Sequence, residues 1–136
     1  MKTIYFKKGK EIIQEGTLSD CAYIIETGKV EVSKLGTKGE KKIIGILTNG
    51  DIFGEMGLID GLPRSATVRA LEDCSINVLT QDTFNSMSIH NPKALMPILK
   101  VLASRLRATL KLVENLQTKN AKSVSEAAAK EHANQI

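Results

Sequence analysis

The spacing of apolar residues changes once, near residue 80, and that change limits what this chain can fold into. Before it, β-branched and aromatic residues fall in short runs separated by glycine turns. Cys21-Ala22-Tyr23-Ile24-Ile25-Glu26 and Val30-Glu31-Val32 flank a turn at Thr27-Gly28-Lys29. Gly36-Thr37-Lys38-Gly39 leads into a returning run from Lys42 to Leu47, and Thr48-Asn49-Gly50-Asp51 turns the chain again. Ser65 to Leu71 and Ser75 to Thr80 complete the series, broken at Glu72-Asp73. Short strands with turns every roughly 8–12 residues predict a β-sandwich or barrel and exclude βαβ units. Val30 and Val32 alternate with Glu31 and Ser33, so that strand is expected to bury one face.

After residue 80 the period becomes helical. Asp82 is expected to cap a short helix containing Phe84 and Met87. Asn91-Pro92 opens a longer helical stretch, with proline near the first turn where its missing N–H costs nothing. Pro97 either kinks that helix or marks where its regular part begins. Leu95, Leu99, Leu102, Leu106, Thr109, Val113 and Leu116 then follow alternating spacings of four and three, with Asn120 next in register. That is a heptad seam. Ile98, Val101, Ala103, Leu110 and Leu112 widen the apolar surface, and a helix apolar on more than one face needs two partners. The strand body and a second copy of the chain are the expected pair, giving a homodimer through residues 95–116. The alternative is one amphipathic helix covering its own barrel. From Ala121 the pattern fades. Ser123-Val124-Ser125-Glu126 resembles a capping box, and residues 121–136 are expected to form a frayed helix or a mobile tail beyond a single domain over 1–120.

At 136 residues the chain is long enough to bury a core without disulfides. Cys21 and Cys74 are two, far apart and outside any CxxC or Cys/His cluster, so neither a metal site nor a disulfide framework is expected. Both read as small buried apolar residues. No apolar run reaches the roughly 18 residues of a membrane helix, and no secretory signal opens the chain; a cytoplasmic protein is expected. The net charge of +4 is unevenly spread. Residues 1–90 carry 11 Lys and Arg against 12 Asp and Glu, while residues 91–136 carry 8 against 3. A basic segment can contact nucleic acid, but every aromatic residue precedes position 91, leaving none to stack on bases. A solvated helix face is the preferred reading. No nucleophile–base pair, metal spacing or catalytic carboxylate pair stands out, so no enzyme activity is expected.

The most specific stretch is Asp51-Ile52-Phe53-Gly54-Glu55-Met56-Gly57-Leu58-Ile59-Asp60-Gly61-Leu62-Pro63-Arg64-Ser65-Ala66-Thr67-Val68. A glycine precedes one short turn of helix, Glu55 to Ile59, whose first amides are free to bind an anion. Gly54 lets a ligand approach the backbone. Arg64 offers a fork for a phosphate, and the Glu55 carboxylate can accept hydroxyl hydrogens, as from a ribose. Together these suit a sugar phosphate. A plain Arg64–Glu55 ion pair is the alternative.

Phe-Gly-Glu-Met-Gly-Leu followed by Pro-Arg-Ser-Ala-Thr-Val resembles the phosphate-binding cassette of cyclic nucleotide-binding domains. Gly9, Ile12, Glu15-Gly16, Tyr23-Ile24-Ile25 and Gly28-Lys29-Val30 resemble that family's opening strands. Cys74 and Phe84 fit its closing strand and following helix. Asn91-Pro92 and Arg105-Leu106 are similar to the approach and body of the long C-helix in bacterial transcription factors of the catabolite-activator type. The likeness runs from about residue 4 to about residue 116.

The resemblance implies a mainly β fold with α elements: an eight-stranded jelly-roll β-barrel, a short phosphate-binding helix and a long C-terminal helix. It implies a cyclic nucleotide as ligand, cAMP in preference to cGMP, and no other cofactor. Backbone N–H groups of Gly54, Glu55 and Met56 would meet the cyclic phosphate. Arg64 would bind its exocyclic oxygens, Ser65 would add a hydroxyl, and Glu55 would accept the ribose 2′-hydroxyl. Val32, Ile44, Leu47 and Phe53 would line the sugar and base pocket, or serve as ordinary core. Thr109 would reach the base, and Arg105 would cap the site or lie on the surface. Three departures stand out. Strand residues begin where the family usually has an N-terminal helix, Leu110 is apolar where the bacterial subfamily has a second polar base contact, and no helix-turn-helix follows the C-helix. A stand-alone second-messenger sensor, signalling through C-helix movement to a downstream protein the sequence does not name, is the expected function. A ligand-free interaction module and a fragment of a transcription regulator are the alternatives.

Overall fold

The computed structural model describes the backbone of residues 1–135 and the side chains of residues 1–120. The chain divides into two units, Met1–Ile98 and the remainder from Leu99.

Eight strands form among the described residues: β1 (Lys2–Phe6), β2 (Glu11–Ile13), β3 (Ala22–Thr27), β4 (Val30–Leu35), β5 (Lys41–Leu47), β6 (Ile52–Phe53), β7 (Thr67–Ala70) and β8 (Cys74–Leu79). They make two four-stranded sheets, ordered β1-β8-β3-β6 and β2-β7-β4-β5, with every pairing antiparallel. This is the predicted jelly roll with helices. Its tight connections depend on glycine. Gly28 turns β3 into β4 at φ 115°, and a Cβ there would stand 2.5 Å from the Cys74 sulfur.

The core lies between the sheets. Alternation sends Ile25, Phe53, Cys74 and Ile76 inward from one sheet and Ile13, Val30, Val68 and Ala70 inward from the other. Register agrees, with Ile25 opposite Ile76 and Val30 opposite Ala70. Ile25, Val30, Leu58, Ile76 and Leu79 are almost wholly buried, each worth about 1.5–3 kcal/mol relative to exposure.

The expectation that β4 buries one face needs correcting. Glu31 and Ser33, on the face away from Val30, are also buried. Glu15 is tied to the neighbouring strands: its carboxylate accepts from the Leu35 amide at 3.0 Å, and its amide donates to Thr67 Oγ1 at 3.0 Å. Glu31 ion-pairs with Lys41 and, at 3.9 Å, with Arg69.

Beyond the strands come α1 (Glu55–Asp60), α2 (Gln81–His90), a 3-10 turn at Pro92–Leu95 and α3 (Met96–Gln135). The N-cap of α2 is Thr80, whose hydroxyl accepts from the Thr83 amide, while Asp82 sits in the first turn. Thr80 has the extended φ/ψ that a capping side chain requires. Pro97 begins the regular helix rather than kinking it. α3 runs unbroken through residues 121–135, so Ser123–Glu126 starts no new helix; the side chains of the tail lie outside the described residues. In the described residues no helix is long and apolar enough to cross a membrane.

Candidate functional site

Strand β6 ends at Phe53, and Gly54 takes the left-handed conformation, φ 76°, that swings the chain into α1. An L-residue would be strained there. Gly61, φ 66°, closes α1, its amide bonding to the Gly57 carbonyl. Leu62-Pro63 then delivers Arg64 ahead of β7.

Arg64 is 5% exposed and fixed by the backbone of three segments. Its amide donates to the Thr17 carbonyl at 2.9 Å, and its carbonyl accepts from Gly16 N–H at 2.8 Å. Nη1 donates to the Gly54 carbonyl at 2.8 Å and Nη2 to the Cys21 carbonyl at 2.5 Å. Nε is buried without a hydrogen-bond acceptor. A guanidinium is an obligate cation, and main-chain oxygens orient it without cancelling its charge. A buried positive group of this kind stabilises an anion beside it far more than an exposed one does.

Room for the guanidinium comes from two glycines. A Cβ at Gly54 would meet Nη1 at 2.9 Å, and one at Gly57 would meet it at 2.6 Å. The close approach expected at Gly54 is therefore made at least in part by Arg64 itself. A cavity of about 330 Å³ opens on Arg64, lined among others by Gln14, Thr17, Ser19 and Tyr23.

Tyr23 stacks on Phe53, ring centroids 5.1 Å apart and planes 19° off parallel. The Cys21 thiol donates to Tyr23 Oη at 3.3 Å. Burial, then the Cys21 hydrogen bond, pushes the Tyr23 phenol up to about 12. Cys21 is only half-buried, contrary to expectation, whereas Cys74 is buried and its thiol is pushed up by desolvation; both are free.

Of the predicted residues, Phe53, Glu55 and Arg64 are buried. Glu55 begins α1 in the first turn, where the Gly54, Glu55 and Met56 amides have no acceptor within the helix. The Met56 side chain is 55% exposed, which suits a role for its amide alone. Ser65 is exposed in the bend after Arg64. Val32 and Leu47 are half-buried against the core. Opposite Val32 stands Gly45, where an added Cβ would meet open space. Ile44 falls at the β4–β5 register shift and is 61% exposed, outside the cluster that holds the other three. Arg105 and Thr109 lie one turn apart on α3, Arg105 half-buried and Thr109 exposed, with Thr109 Oγ1 donating to the Arg105 carbonyl at 2.9 Å.

Sequence reasoning missed Gly16, Thr17, Cys21 and Gly57 as parts of the arginine cradle. Three of them act through main-chain atoms and the fourth through the absence of a side chain, so side-chain chemistry gave no signal.

The sequence model of the cyclic nucleotide-binding domain matches residues 3–91. The chain belongs to this family. As a cyclic nucleotide-binding domain it is 39% identical over 79 residues to a cAMP-dependent protein kinase regulatory subunit of Yarrowia lipolytica, covering 58% of this chain and 20% of that protein. It is 28% identical over 109 residues to a CRP-like cAMP-activated global transcriptional regulator of Mycobacterium tuberculosis, covering 80% and 49%. Among solved structures, the catabolite activator protein of Thermus thermophilus superimposes with a TM-score of 0.81 at 28% identity, over 85% of this chain and 55% of that one. The domain thus spans about half the length of the bacterial relatives it matches, and a fifth of the kinase subunit.

Proposed function

We propose that this domain binds a cyclic nucleoside monophosphate, cAMP in preference to cGMP, and passes the binding event on through α3. The observation that carries the reading is Arg64: a buried cation held by the main-chain carbonyls of Gly54, which precedes α1, and of Cys21. A cyclic phosphodiester bears one negative charge and two exocyclic oxygens, which suits one guanidinium and a row of N–H donors. Glu55, at the start of α1, accepts the ribose 2′-hydroxyl, and Ser65 adds a hydroxyl donor. Val32, Leu47 and Phe53 offer apolar surface to the sugar and base.

The preference for cAMP rests on relatives named for cAMP, the kinase regulatory subunit of Yarrowia lipolytica and the transcriptional regulator of Mycobacterium tuberculosis. Leu99, Leu106, Val113 and Leu116 are each 45–59% exposed on α3, and a second copy of the helix is the partner we assign to that seam. A switch requires the nucleotide to bind one arrangement of α3 better than another. Calorimetric titration of nucleotide-free protein with cAMP and then cGMP tests the reading. One site per chain with tighter cAMP supports it; no saturable binding of either ligand overturns it.

A further inference from the structure

Strand β5 has a neighbour on one side only. It ends the sheet ordered β2-β7-β4-β5, so its outer row of N–H and C=O groups pairs with no other strand among the described residues. It is a seven-residue edge, and it is apolar: Ile43, Ile44 and Ile46 are 61–62% exposed, and Leu35 of β4 opposite Lys41 is 59% exposed. An edge with unpaired backbone and apolar side chains is a template for one more strand.

Charge says which strand. The hairpin from Lys34 to Lys42 carries four lysines against Glu40 alone. Lys41 is engaged by Glu31. Glu40 is shared between the Lys38 amide and, at 3.8 Å, the Lys42 ammonium. Lys34, Lys38 and Lys42 are left exposed with excess positive charge. A second β5 would bring like charge to like charge, which is destabilising across a strand pair. We propose that β5 docks an extended acidic segment of another protein, alternating carboxylate and apolar residues, as a fifth strand of this sheet. Main-chain bonds would give affinity, and alternate side chains would give specificity. The proposal uses none of the cassette, and the peptide titration is made without nucleotide.

The test uses the whole chain and two labelled seven-residue peptides, one alternating glutamate with valine and isoleucine, the other with lysine in place of glutamate. Fluorescence anisotropy is expected to show binding of the glutamate peptide and little of the lysine one. Hydrogen exchange is expected to slow at the amides of residues 43–47. The double variant Lys38→Glu/Lys42→Glu should weaken the glutamate peptide at least fivefold, strengthen the lysine peptide, and leave the nucleotide titration unchanged. Equal binding of the two peptides, no binding, or protection confined to other strands overturns the proposal. So does a dimer that Ile46→Lys converts to monomer, since the edge would then be filled by a second copy.

Discussion

Replacing Arg64 with methionine keeps a hydrocarbon of similar length and removes the charge. Two hydrogen bonds go, from Nη1 to Gly54 and from Nη2 to Cys21, each worth about 1.5–3 kcal/mol as a charge-assisted bond. Against this, a cation held at 5% exposure no longer has to be desolvated, which returns several kcal/mol. The opposing terms leave ligand-free stability within about 2 kcal/mol of the parent. Binding has no such compensation. Truncating one partner of a buried charge pair costs roughly 2–5 kcal/mol, or about 30- to 5,000-fold in affinity. Differential scanning fluorimetry reads both quantities. At a cAMP concentration 100 times its dissociation constant the parent gains about 2.7 kcal/mol. For a folded unit of Met1–Ile98 that is a rise in Tm of roughly 11–22 °C. A 100-fold weaker variant gains only about 0.4 kcal/mol at the same concentration, a rise of roughly 2–3 °C. An Arg64→Met protein whose Tm rises as far as the parent's would refute the assignment of the phosphate to Arg64.

Three other expectations follow from the geometry. Gly54→Ala forces a left-handed residue against Arg64 Nη1, the Ile13 side chain and the Cys21 carbonyl, so chemical denaturation should show a loss of at least about 1–2 kcal/mol, with nucleotide affinity falling as Arg64 is displaced; undiminished stability would argue against the Gly54 conformation. The Tyr23 phenol is held up to about 12 by burial and by Cys21, so the folded state favours the neutral ring. Its contribution to stability is complete below the ordinary tyrosine range and is lost as pH climbs toward about 12; absorbance of phenolate at alkaline pH should show a late step that Tyr23→Phe removes. Thr80→Ala deletes the hydroxyl that accepts from Thr83 N–H and should cost about 1 kcal/mol, seen as faster amide exchange in the first turn of α2; unchanged exchange there would mean the cap is not needed.

Much of the β architecture was legible because its signals are local. Gly28, Gly39 and Gly50 all take positive φ, a conformation their sequence context already implied, and the strands between them follow directly. The cassette was legible for the same reason: Gly54, Glu55 and Arg64 sit close together in the chain. What escaped was set by distant segments. Alternation alone sends Glu31 to solvent, yet it is buried, ion-paired with Lys41 of β5 and Arg69 of β7 on the two flanking strands. Ile44 was assigned to the pocket lining by the family likeness alone, and it stands 61% exposed at the register shift opposite Val32 and Ser33, which no local signal in β5 announces. Asp82 and Thr80 are both good capping residues, and the choice between them depends on where β8 releases the chain, which is a property of the sheet.

The two hydrogen bonds from the Arg64 guanidinium to main-chain carbonyls also bear on how quickly a ligand can be captured. An arginine free in solution carries about 2 kcal/mol of rotamer entropy. Here that freedom is surrendered when the domain folds, so it is absent from the binding step. Association then needs no search by the side chain for its working rotamer, and the encounter rate should track ionic strength, as it does when a fixed charge draws in an anion.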